Sequence, residues 1–282
     1  MPLHFDLESL VHWRAFISLA WLIFLLTWES VRPFLHQFTA WQVRGRHGAR
    51  NLVLGWVNAL ATAVLFAWLW RMVATWADTH HFGLLHWIGE RSGTPGVRPS
   101  EGYSWPSWLR AVAAVLLFDM WTYWWHRTAH AMPWLWRFHR MHHSDPHMDV
   151  TTANRFHPGE ILMSSVLRLA VIPLLGLRFG EVVLYETLLQ VLVQFHHANV
   201  ALPGPMERLL RALIVTPILH KIHHSRLRPE TDSNFASLFS FWDRWFGSFR
   251  LRPDPADIRF GLEGEDDDSR QTLRALWKTP WN

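Results

Sequence analysis

The sequence contains no cysteine. That excludes disulfides, thiolate-bound zinc, thiolate-ligated haem and iron–sulfur clusters. Any metal must be held by nitrogen or oxygen. There is no HExxH, the helical signature of zinc proteases. No basic stripe or known motif marks a nucleic-acid binder, so no nucleic-acid partner is expected. The net charge is only +4, and the basic residues are scattered between apolar runs, as beside a membrane surface. No flavin, haem or iron–sulfur motif is present. The first apolar run, 15–28, ends in "TWESVRP" without a small-residue cleavage site, so it is expected to be retained.

Apolar and aromatic residues are abundant. Of 282 residues 50% are hydrophobic, and 20 are tryptophan. Five apolar runs, 10–28, 52–70, 108–125, 161–177 and 180–195, approach the length that crosses a bilayer core of about 30 Å. Four have tryptophan at or near an end, as in an interfacial belt. The last two are joined by "GLRFG", which is short enough only for a tight helical hairpin. The expected fold is all-α: a polytopic membrane helix bundle with a cytoplasmic, histidine-rich helical cap. The expected division is 1–107 for N-terminal membrane helices and loops, 108–250 for a catalytic domain and 251–282 for a tail. The 29–51 loop has four arginines, the 71–107 loop has three offset by acids, and the chain after 204 has twelve Lys and Arg. This bias assigns 29–51, 126–160 and 204–282 to the cytoplasmic side and 71–107, with Ser92, to the other.

Nineteen residues are histidine, and twelve of them lie between 126 and 224. His126 and His130 are four apart and share a helical face. His139, His142 and His143 are spaced 0, 3 and 4, and His220, His223 and His224 repeat that spacing. Imidazoles on one face can reach one metal, and iron, zinc, copper and nickel accept imidazole. Eight such ligands suit two ions rather than one. His157, His196 and His197 are further candidates at the hairpin's ends. Neighbours on a helix point about 100° apart, so at least one of His196 and His197 is expected to ligate. Two metals held by neutral nitrogen at a membrane surface point to an oxygen-activating di-iron centre. The competing class is a non-redox zinc or nickel binder or transporter. A transporter would place its ligands near the bilayer midplane, whereas these clusters fall at helix ends.

The stretches "DMWTYWWHRTAH", "WRFHRMHHS", "TTANRFHPGE", "HHANV", "HKIHHS" and "NFASLFSFWDRWFGSF" cover 119–249. In that order they resemble the fatty acid hydroxylase/sterol desaturase superfamily. The resemblance implies an integral membrane enzyme that hydroxylates or desaturates a lipid or sterol-like C–H bond. It implies two iron ions, O2 as co-substrate and electrons from a separate reductase protein. Its histidine boxes map onto His126 and His130; His139, His142 and His143; His220, His223 and His224. Fatty-acid 2-hydroxylase-like members carry one more histidine a turn before the "HH" pair, where this chain has Leu192. "RFHP" is similar instead to the sterol-desaturase-like branch, and His157 is then expected to complete the ligand set. Alkylglycerol monooxygenases are also similar, but carry Glu where this chain has Ala131.

Carboxylates near an all-imidazole centre should matter. Asp119, Tyr123, His126 and His130 lie on one helical stripe, so Asp119 is expected to orient His126 or bond Tyr123, and both are candidate catalytic residues. The aromatic segment 234–249 is expected on the membrane interface or as a cap over the site. The acidic segment 263–269 is expected to be a solvated, mobile linker. Arg168 and Glu186 lie inside the hairpin's apolar runs, where an unpaired charge is costly. Their positions either side of the turn predict an ion pair.

Overall fold

The computed structural model describes residues 7–91 and 106–282. Ser92 and the rest of the 71–107 loop up to residue 105 lie outside the described residues. All regular elements among the described residues are helical. The N-terminal part comprises α1 (Leu10–Val31), α2 (Trp41–Leu65), α3 (Ala67–Thr79) and α4 (Leu84–Arg91). There follow α5 (Ser107–Ala131), α6 (Pro133–His143), α7 (Pro158–Leu175) and α8 (Phe179–His197). The short helices α9 (Gly204–Leu210), α10 (Pro217–His223), α11 (Arg228–Thr231), α12 (Phe241–Trp245) and α13 (Leu273–Trp277) complete the chain.

Three helices that matter for the site begin with proline: Pro133 in α6, Pro158 in α7 and Pro217 in α10. Proline at the first helical position has the right φ and lacks only an N–H that would be unpaired anyway. The caps sharpen two of these starts. Thr216 accepts from Leu219 N, and the His157 ring accepts from Gly159 N. The α7–α8 hairpin turns at Gly176, whose φ of 71° suits a residue without Cβ. Gly83 (φ 103°) packs against that turn, and a Cβ there would meet Pro173 O at 2.2 Å.

Helix α8 is central, packed among α1, α5 and α10, while α7 lies against α2 and α3. Phe118, Ile172, Leu177, Val182 and Tyr185 form the main core with Phe66 and Trp70. Helices α1 and α7 are long and apolar enough to cross a membrane. The outer faces of α1, α2 and α7 expose Phe16, Leu19, Ile23, Trp56, Val64, Val166 and Leu174. Apolar surface on this scale needs a cover, and lipid supplies it.

The other expected crossings need correction. The run 52–70 is not one straight helix. Phe66 leaves helical geometry to enter the core, and the chain bends by 46° between α2 and α3, which makes a broken span or a re-entrant loop. The runs 108–125 and 180–195 form α5 and α8, but both fall short of spanning composition. They carry polar groups that the interior satisfies: Arg110 pairs with Glu181 at 2.8 Å and donates to Gly176 O. The acidic segment is not a free linker. Glu265 pairs with Arg140 at 2.9 Å, Asp268 with Arg50 at 3.0 Å, and Asp266 with Arg226. These contacts fold the C-terminal residues back over α6.

The hairpin ion pair forms, with Arg168 Nε and Glu186 Oε1 3.2 Å apart. Arg168 is also walled by the rings of Trp70, Phe118 and Trp121. Removing one partner of a buried pair typically costs about 3–5 kcal/mol because the other charge is stranded. Arg168→Met and Glu186→Leu should each lower the thermal midpoint in detergent, and the double variant should recover most of the loss. Additive losses would mean the two charges act independently.

Candidate metal centre

Helix α5 delivers His126 and His130 on one face, α6 delivers His139, His142 and His143, α8 ends in His197, and α10 carries His220 and His223 with His224 just after it. These pieces meet. His126, His130, His139, His143 and His223 bring ring nitrogens within 4.8 Å of one another, and His142, His197, His220 and His224 do the same in a second group. The groups adjoin: the rings of His143 and His224 stack at 4.4 Å.

What orients the rings decides what the site can hold. Carbonyl oxygens can only accept, so a ring nitrogen facing one must carry the proton. His126 Nδ1 donates to Phe235 O at 2.8 Å, and His223 Nδ1 to Ser233 O at 2.7 Å. In the second group His197 Nδ1 donates to Val193 O at 2.7 Å, and His142 Nδ1 to Arg155 O at 3.2 Å. Each of these four neutral rings therefore presents a bare lone pair at Nε2. Yet His126 and His223 face each other Nε2 to Nε2 at 3.0 Å, and His142 and His197 do so at 3.1 Å. Two lone pairs at that distance repel unless a cation lies between them. Adjacent nitrogens bonded at about 2.1 Å to one ion at right angles would stand about 3.0 Å apart. The donor set thus fits one metal ion in each group.

Protonation does not relieve the repulsion. Burial, followed by the neighbouring imidazoles, pushes the His142, His143, His220 and His224 pKa values well below the usual histidine range. Burial takes His223 down to about 3. In each group further buried ring nitrogens lack a hydrogen-bond partner, among them His130 Nε2, His139 Nε2 and both nitrogens of His143.

Carboxylates support the first group from behind. His139 Nδ1 faces Glu160 at 2.8 Å, and His130 Nδ1 faces Asp232 at 3.3 Å. Sequence reasoning missed both acids. Glu160 closes the quoted motif "RFHPGE", where attention fell on the histidine, and no spacing rule ties Asp232 to His130. A second polar cluster lies behind α6: Asp145 holds His47 at 2.9 Å, and Arg155 bridges Met141 O, Ser144 and Gln271.

Four candidates are placed elsewhere. His157 caps α7, with Nδ1 accepting from Gly159 N and Nε2 donating to Trp277 O, and reaches neither group. His196 stacks on His220 at 3.9 Å rather than joining the second group, so His197 is the member of that pair that faces the metal position. Asp119 touches neither His126 nor Tyr123. Its carboxylate accepts from Leu238 N, Phe239 N, Trp242 Nε1 and Tyr185 OH, which fastens segment 234–249 onto α5. Tyr123 bonds Ser248 at 2.7 Å and accepts from Arg127, away from the histidines. The segment itself is a cap, with the Phe235 ring against His126, His130 and His223.

A cavity of about 470 Å³ opens from His126, His139, His142, His197 and His220 and runs between α1, α2, α7 and α8. It is roomy enough for part of a lipid. Residues 111–248 match the family model "Fatty acid hydroxylase". This segment, just under half of the chain, is similar to a fatty acid hydroxylase domain. It contains both histidine groups, the cap and the α7–α8 hairpin. The chain is 31% identical to ornithine lipid hydroxylase OlsE of Rhizobium tropici, over 57% of this chain and 48% of that protein. It is 34% identical to alkylglycerol monooxygenase of Danio rerio, over 56% of this chain and 33% of that protein. With cholesterol 25-hydroxylase of Homo sapiens it shares 27% identity over 61% of this chain and 62% of the other. The matches to the first two span about half or less of those relatives' length. No solved structure matches.

Two outcomes follow for this centre. Glu160→Gln and Asp232→Asn should each weaken metal retention by about 10–100-fold, the usual loss for a ligand's hydrogen-bond partner, whereas His157→Ala should leave it unchanged in a competitive chelator titration. In metal-free protein the pKa values of buried imidazoles such as His223 lie below the unfolded value of 6.5. The unfolded chain then binds more protons as pH falls through about 6.5. Stability present above that pH should be lost progressively toward pH 3, so the thermal midpoint of the metal-free form should drop between pH 7.5 and 5.5.

Proposed function

We propose that this chain is a membrane-bound di-iron oxygenase that hydroxylates or desaturates a lipid C–H bond. The observation that carries the reading is the pair of converging Nε2 lone-pair sets opening onto a cavity between apolar helices. The first iron would be held by His126, His130, His139, His143 and His223, and the second by His142, His197, His220 and His224. When bound, iron supplies the redox chemistry with O2 that no side chain can. The relatives named above are an ornithine lipid hydroxylase, an alkylglycerol monooxygenase and a cholesterol 25-hydroxylase, which supports a lipid or sterol-like substrate.

The protein's own part is positioning and exclusion. Glu160, Asp232 and four backbone carbonyls fix the ring orientations before substrate arrives, so little reorganisation is left for the reaction. Phe235 and Phe156 cover histidine rings on two sides, Phe156 stacking on His142 at 4.1 Å. They keep bulk water from the reacting carbon. The cavity holds a C–H bond beside the histidines. The balance for hydroxylation is one C–H bond, one O2, two electrons and two protons giving an alcohol and one water. For desaturation the same inputs and a second C–H bond give an alkene and two waters. The two electrons come from a separate reductase, since the sequence carries no electron-transfer cofactor motif of its own. We place the histidine face on the cytoplasmic side, following the arginine bias of its loops.

The test is lipid mass spectrometry of cells grown with isotopically heavy O2. Cells making this protein should contain a lipid bearing one heavy oxygen, or one additional double bond, that cells making His139→Ala lack. Identical lipid profiles from iron-loaded protein with a competent reductase would overturn the reading. Topology is separately accessible because the chain has no native cysteine. Ser144 and Ser225 are buried and unsuitable for labelling, but Arg137, Leu227 and His80 are exposed. Cysteine at 137 and at 227 should react only with reagents that enter the cytoplasm, and cysteine at 80 with reagents outside. Opposite sides for 137 and 227 would break the single-centre arrangement.

A further inference from the structure

The cavity carries charge at the end away from the histidines, and a purely hydrocarbon substrate has no use for it. Arg168 and Glu186 both line the cavity. Glu186 precedes His197 by eleven residues on α8, which is about 16 Å along the axis. Arg168 follows Glu160 by eight residues on α7, about 12 Å. Trp70 and Ser165 also line the cavity beside Arg168, the Trp70 indole donating to Ser165 O and lying under the guanidinium. Three buried polar atoms there have no hydrogen-bond partner: Ser165 Oγ, Arg168 Nε and Glu186 Oε1. The two charges stand 3.2 Å apart but are not aligned as a hydrogen bond. Ser164 Oγ at 3.0 Å and the surrounding indoles hold the guanidinium in place. Buried polar atoms almost always find partners, and one that does not destabilises the fold. An ion pair not closed by a hydrogen bond, beside the unpartnered Ser165 hydroxyl on one cavity wall, is best accounted for by a ligand group that both donates and accepts.

We propose that Arg168, Glu186 and Ser165 form a polar-end subsite that binds the head of an amphiphilic substrate and so sets which carbon lies beside the metals. The pair is neutral overall, so it selects no net charge. A hydroxyl or amide satisfies it by donating to Glu186 Oε1 while accepting from Arg168 Nε. The substrate then lies between α7 and α8, with its polar end at the ion pair and the carbon to be oxidised about 12–16 Å away. The idea rests on the proposed function for its consequence, but its test does not need turnover.

The experiment is equilibrium binding of a radiolabelled long-chain alcohol, and of the alkane of equal length, to metal-loaded protein in lipid nanodiscs. A hydrogen bond to a charged group is worth about tenfold or more in affinity, so the wild type should prefer the alcohol by at least that factor. Arg168→Met/Glu186→Leu should bring the preference to within about twofold and leave alkane binding unchanged; Ser165→Ala should reduce it about threefold. No preference in the wild type, or an undiminished preference in the double variant, would overturn the subsite. If the double variant does not fold, Ser165→Ala decides, and an unchanged preference there overturns the proposal. Metal content measured on the same samples separates the two ideas. Protein that binds the alcohol selectively but holds no iron would refute the di-iron reading and leave the subsite standing.

Discussion

The repulsion between lone pairs at the centre of the molecule is the constraint that the rest of the structure serves. Four imidazoles donate Nδ1–H to backbone carbonyls, and this turns their Nε2 atoms toward one another at 3.0–3.1 Å. Without a cation the arrangement costs energy; with one in each group it becomes a preorganised ligand set. The folding energy that holds the rings so comes from elsewhere. Asp119 locks the cap segment to α5 through three hydrogen bonds and accepts a fourth from Tyr185 of α8, and that segment provides Phe235 O. The turn after α11 provides Ser233 O, and Val193 O comes from α8 itself. Metal binding is thereby coupled to the packing of α5, α8, α10 and the cap, so loss of metal should loosen all four together.

Much of the centre was legible from helical periodicity. A spacing of 0, 3 and 4 places three rings on one face wherever the segment is helical, and it was helical in α6 and α10 (with His224 at the cap). The choice between His196 and His197 was not legible, because it depends on rotation of α8 against α10, a property of side-chain packing along the whole helix. His157 looked like a ligand because a similar motif occurs in related proteins. Here the ring instead satisfies the first turn of α7 and a carbonyl from the C-terminal segment. Asp119 and Tyr123 do share the stripe of His126, but a stripe says only which side a residue faces. Their partners, the amides of the cap and Ser248, lie more than a hundred residues away in sequence.

The membrane reading divides in the same way. Apolar length identified α1 and α7, whose outer faces need lipid. It did not decide for α5 and α8, which fall short of the same apolar measure, since a run of apolar residues is equally the mark of a helix buried in protein. The polar residues inside those runs carried the distinction. Arg110, Asp119 and Glu181 are buried and partnered, and a helix facing lipid could not keep them so. Arg168 and Glu186 were paired correctly from their distance to the turn. Their position at the wall of the cavity was not foreseeable, because the cavity is made by α1 and α2 as much as by the hairpin.

The proposed centre comprises two iron ions held by two adjoining sets of imidazole nitrogens. X-ray absorption at the iron edge, on protein reconstituted with iron and analysed for metal content, tests it most directly. Two irons per chain are expected, with a first shell dominated by nitrogen at about 2.1 Å and the outer-shell scattering that imidazole rings produce. One iron per chain, or a first shell dominated by carboxylate oxygen with weak imidazole scattering, would contradict it.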